Sequence, residues 1–178
     1  MKQFYTKLSF LFSLFFAMNS LSQETLPIYW DYLSDNVYLL HPAAAGIGNS
    51  SKLRFTARQQ WQGIPNAPAL QTVSFHTKLG EETNAGYGFV LFNDQNGFHS
   101  QQGLQGTYAY HLPLSDGRLF EQLSFGLSFT FVQNQSDQRT FFGDPALSQV
   151  VESTSYYNAD FGMSYHLGGF SSYFTVKN

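Results

Sequence analysis

The chain has no cysteine, so no disulfide can brace it and its stability has to come from burial or from a membrane. It is also short of charge. Asp, Glu, Lys and Arg make up 12% of residues, about half the share usual in a soluble domain. Basic residues are scarcer than acidic ones, which argues against a nucleic-acid partner, since that needs a basic footprint. Beyond the N-terminus no apolar run reaches the length of a membrane-spanning helix. Helical spacing is missing from every useful window after that point. No phosphate-binding glycine loop, no G-x-S-x-G elbow and no H-E-x-x-H pair occurs, so nothing marks a nucleotide, acyl-transfer or zinc site. We therefore expect no enzyme, no cofactor and no metal.

What is present begins with an export signal. Lys2 and Lys7 precede an uncharged apolar stretch, Leu8 to Met18, and small residues follow at Ser20 and Ser22. Cleavage after Ser22 removes two of the nine basic residues and none of the twelve acids, leaving seven against twelve, a formal charge of −5. Residues 23–51 read as an irregular lead-in, with Pro42 and Gly46 opposing a long regular element.

From residue 52 to 178 the texture is alternation with period two. One face is bulky and aromatic and the other small and polar. In the clearest strand, Leu123, Phe125, Leu127, Phe129 and Phe131 oppose Ser124, Gly126, Ser128 and Thr130. A first strand ending at Trp61 is followed by strands from Leu70 to Lys78, Ala85 to Phe92, Gln101 to Leu112, around Phe125, around Phe161, and from Gly169 onward. Turns are expected at Asn93 to Gly97 and at Ser115-Asp116-Gly117, with a longer loop from Gln133 to about Ser155. The fold class is all-β: an antiparallel transmembrane barrel, or its N-terminal half, of about seven strands. A secreted β-sandwich has the same periodicity. Low charge on the polar face, strand length and aromatic density favour the barrel.

The lead-in and first strands resemble the PorP/SprF family of outer-membrane proteins from gliding and type IX-secreting bacteria. His41-Pro42-Ala43-Ala44-Ala45-Gly46 is similar to that family's N-P-A-Y-A-G signature. Arg58-Gln59-Gln60-Trp61-Gln62-Gly63-Ile64 with Ala67-Pro68 is similar to its R-x-Q-W-x-G-I-x-G-A-P segment. Gly86-Tyr87-Gly88 and Asp160-Phe161-Gly162 continue the resemblance. His41 stands where Asn is usual, Ala44 where an aromatic is common, and Asn66 where Gly is common. The family's members are longer, so the chain is expected to be an N-terminal half. The resemblance implies a binding role in the outer membrane, with type IX periplasmic or outer-membrane components and an exported adhesin as partners alongside lipid. A passive porin is the alternative, with Arg54, Arg58 and Lys78 setting the charge of its lumen.

The candidate interaction and structural motif is His41, Pro42, Gly46, Arg58, Trp61, Gly63 and Pro68. His41 to Gly46 reads equally as a docking segment or plug that enters the barrel and as a turn that starts the first strand. Arg54, Arg58, His76, Lys78 and Asp160 are expected to face the lumen. His76, His111 and His166 share the polar faces and read as solvated rather than metal-binding. Glu81-Glu82 reads as a solvated turn.

Overall fold

The structure, a computed structural model, describes residues 35–48, 50–80, 83–115, 120–137 and 151–177. The expected export signal, the Ser115-Asp116-Gly117 turn beyond its first residue, and Glu81-Glu82 lie outside them. No helix among the described residues is long and apolar enough to cross a membrane.

Seven strands form one sheet in the order β1-β2-β3-β4-β5-β6-β7, every neighbour antiparallel. They are β1 (Lys52–Gln59), β2 (Ala69–Lys78), β3 (Ala85–Asn96), β4 (His99–Ser115), β5 (Glu121–Asp137), β6 (Val151–Leu167) and β7 (Phe170–Val176). The sheet curls into a half-barrel. Two single-turn 3-10 helices, Val37–Leu39 and Pro42–Ala44, precede β1.

The alternation sorts residues onto two faces, and the larger residues are on the outside. Phe55, Leu53 and Phe129 are 69%, 70% and 68% exposed. On the other face Ser74, Ser124, Ser128 and Ser164 are buried. A sandwich would bury the aromatic face against a second sheet; here the small polar face is the covered one. The outward apolar run on β5 spans Leu123 to Phe131. At the usual rise and tilt of barrel strands it covers about 20 Å, near the apolar band of a membrane barrel.

Several strand ends differ from expectation. Asn93 to Asn96 belong to β3, and Asn96 pairs with His99 across a two-residue connection in which Gly97 takes φ +64°. The expected loop from Gln133 is strand as far as Asp137, which pairs with Val151. These extensions carry Gln, Asn and Ser on their outward face, so the composition resembles a loop although the backbone ladder continues. β1 ends at Gln59, and Trp61 lies in the following turn with φ +51°.

Candidate functional site

The concave face is filled by the lead-in. The register aligns Gly86, Ala109, Gly126, Gly162 and Thr175 in one row across β3 to β7. Four of the five have a side chain no larger than a methyl group, so the row is a smooth trough crossing the strands. Residues 41–46 lie along it as a strap. His41 sits at the β7 end, its Nδ1 2.6 Å from the Thr175 hydroxyl and its ring stacked on Tyr173 with centroids 4.9 Å apart. Pro42 and Ala43 pass over Gly126 and Gly162, and Ala45-Gly46 passes over Gly86.

The approach is backbone against backbone. A methyl group added to Gly126 would collide with the Pro42 carbonyl and the Ala43 nitrogen, and one on Gly86 with the Ala45 carbonyl. Gly46 is restricted twice. Its φ is +77°, where L side chains are strained, and a Cβ there would stand 2.6 Å from the Gly86 Cα.

Two histidines clamp one peptide group of the strap. The Gly46 N–H donates to His76 Nδ1 at 3.0 Å. His111 Nε2 lies 2.9 Å from the Ala45 carbonyl, and its Nδ1 lies 2.9 Å from the Ser124 hydroxyl. The partners assign the protons. His76 Nδ1 accepts and is bare; His111 Nε2 carries the proton that it donates. Both rings are buried rather than solvated, because the strap covers them.

Tyr38 anchors the segment that precedes the strap. It is 2% exposed and lies against Gly88, and its hydroxyl donates to Thr107 at 3.0 Å. Burial pushes the phenol up to about 12, against the smaller opposing effect of the Thr107 bond, so the ring stays neutral. Tyr38 and Leu39 form a small apolar core with Ala44, Ala45, Val90 and Ala109. Asn36 completes the attachment by donating to Ser74 at 2.8 Å and accepting from Arg54 at 3.4 Å.

The remaining expected residues fall in two places. Arg54, His76 and Lys78 share the strap's side of β1 and β2, with Lys78 paired to Gly86 at the end of the trough. Asp160, 8% exposed, pairs with Ser128 one row away. Arg58 shares the concave face but pairs with Leu70, six positions along the strand from the Lys52–His76 pair. There the Gln60 side-chain amide, with its oxygen turned toward the guanidinium, accepts from Arg58 Nε at 3.2 Å and Nη2 at 2.6 Å. Trp61, Gly63 and Pro68 belong to the β1–β2 connection beside Arg58, which is closed by a Gln60 N–H bond to the Pro68 carbonyl at 2.9 Å. The two halves of the motif therefore lie at opposite ends of the sheet. Sequence reasoning missed the roles of Asn36, Tyr38, Gly86 and Gly126; glycines recurring on the polar face were the only available signal. Among the described residues no group of three His, Asp or Glu side chains is arranged to hold a metal.

Acid should loosen the strap. Burial, and then the charge of Lys177, hold the His41 imidazole below its ordinary value. A released His41 takes up its proton near pH 6.5, whereas the docked one resists it. The docked state is thus fully favoured above that pH and loses ground as pH falls below it. A proton on His76 Nδ1 would face the Gly46 N–H and acts in the same direction. Amide exchange in residues 38–46, corrected for intrinsic rate, should be faster at pH 5 than at pH 7.5; equal protection would refute this coupling.

A family model described as Type IX secretion system membrane protein PorP/SprF matches residues 21–178. The chain belongs to the PorP/SprF family. Comparison with curated proteins and with solved structures gave no match. In this PorP/SprF chain the His41 to Gly46 part of the resemblance is the strap that contacts the glycine trough, and the Arg58 to Pro68 part lies at the opposite end of the sheet.

Proposed function

We propose that this PorP/SprF protein is an outer-membrane component of type IX secretion that acts by binding, with its own lead-in closing the lumen. The observation that carries this reading is the pairing of an exposed apolar wall with a polar concave face already occupied by the strap. The apolar wall suits hydrocarbon, and the seated strap suits a plugged barrel rather than an open pore. No catalytic residue, cofactor or metal is part of the reading. Its partners are periplasmic type IX or gliding components on one side and an exported surface protein on the other, in the membrane reached through the N-terminal export signal.

The connections support an orientation. The strand ends far from the strap are linked by nine, two and thirteen residues of sequence (60–68, 97–98 and 138–150), and those at the strap's rim by six, five and two (79–84, 116–120 and 168–169). Outer-membrane barrels keep short turns in the periplasm and longer loops outside. The strap rim then faces the periplasm, and Trp61 with its neighbours faces the cell surface.

Planar-bilayer recording tests the plug. The protein purified from outer membranes should be nearly silent, and deletion of residues 36–47 should open a steady conductance. An intact protein that conducts with the ion preference of Arg54, Arg58 and Lys78 would favour a porin instead.

A further inference from the structure

On the outward wall the apolar band ends abruptly at a groove of about 520 Å³. Its lower lip is one cross-strand row of Phe55, Val73, Leu91, Leu104 and Phe131. Its upper lip is the next row, Gln71, Asn93, Gln102 and Gln133. No residue lining the groove carries a charge. The row beyond, from Gln59 on β1 to Ser153 on β6, is uncharged as well.

We propose that this groove binds a membrane lipid whose headgroup is uncharged and rich in hydroxyl or amide groups, such as a glycosyl diacylglycerol. This rests on the proposal that the outward face meets hydrocarbon. An acyl chain lies along the apolar lip, continuous with the rest of the band. The headgroup then meets four carboxamides, each of which both donates and accepts. Sugar hydroxyls and amides also do both, so each partner can satisfy the other. A phosphate only accepts, and it is bound best by Arg, Lys or helix N-termini; the groove supplies none of these. The absence of charge over two successive rows, at the level where headgroups begin, is thus matched to a neutral headgroup.

The test uses the absence of native cysteine. Leu104→Cys and Phe125→Cys, each labelled with bimane, report on the groove and on the far end of the band respectively. The protein is reconstituted in phosphatidylcholine nanodiscs containing a minor fraction of brominated-acyl glucosyl diacylglycerol or brominated-acyl phosphatidylglycerol. At Leu104 the glycolipid should quench roughly three- to ten-fold beyond its mole fraction, the effect of one or two net hydrogen bonds. Phosphatidylglycerol should show no enrichment there, and at Phe125 both lipids should quench in proportion to their mole fraction. Adding Gln102→Leu with Gln133→Leu to the Leu104 reporter should abolish the enrichment. Proportional quenching by both lipids at both positions, or enrichment of phosphatidylglycerol at Leu104, would overturn the groove while leaving the lipid-facing wall intact. No quenching at either position would instead refute the lipid-facing reading itself.

Discussion

Replacing Gly126 with valine should lift the strap from its trough, whereas replacing Gly106 with alanine should leave it seated. At Gly126 the first added carbon meets the backbone of Pro42 and Ala43, which cannot swing aside as a long side chain can. At Gly106, which pairs with Phe89 and Phe129 on the outward face, nothing lies within 4 Å of the same atom. Overpacking of this kind typically costs about 1–3 kcal/mol, a shift of about five- to more than a hundred-fold in the docked population. Hydrogen exchange over residues 36–47 reads this directly, because the amides of Leu40, His41, Ala44 and Ala45 are bonded within the folded strap. Gly126→Val should expose them to exchange and Gly106→Ala should not. Equal protection in the two variants would mean that the strap is not held by the glycine row.

The second large effect is expected where ordinary surface reasoning predicts none. Phe129 is 68% exposed, and in a soluble protein a change to arginine at such a position is close to neutral. If the outward wall meets hydrocarbon, Phe129→Arg should cost about 2–4 kcal/mol, because Phe129 lies inside the apolar run of β5, one outward position beyond its middle residue Leu127. Gln135→Arg, on the same face beyond the band, should cost little. The fraction of protein that migrates as a folded, heat-modifiable species from outer membranes measures both. Equal tolerance at the two positions would contradict a wall in lipid.

The legibility of the structure in the sequence follows from what each signal encodes. The strands were readable because alternation with period two depends only on local order, as in Leu123 to Phe131. Which face is covered was not, since sandwich and barrel produce the same alternation; the burial of Ser124 and Ser128 beneath the strap decides it. The strand ends were misjudged where Gln133, Asn134 and Gln135 imitate a loop while remaining in the ladder. The trough was invisible for another reason. Gly86, Gly126 and Gly162 are far apart in the chain, and only the register of three strand pairs brings them to one level. The histidines followed the same pattern: His76 and His111 look solvated on a polar face until a segment 30 to 66 residues away is laid over them.

The central claim is that the polar face points inward under the strap and the aromatic face points outward to lipid. It is tested most directly by moving a single nitroxide, attached through an introduced cysteine, from position 123 to position 131 along β5 in the membrane. The account predicts that accessibility to oxygen alternates with period two, highest at 125, 127, 129 and 131, and that a water-soluble nickel reagent reaches none of those four. Alternation with the opposite phase, or nickel access at the odd positions, would contradict it.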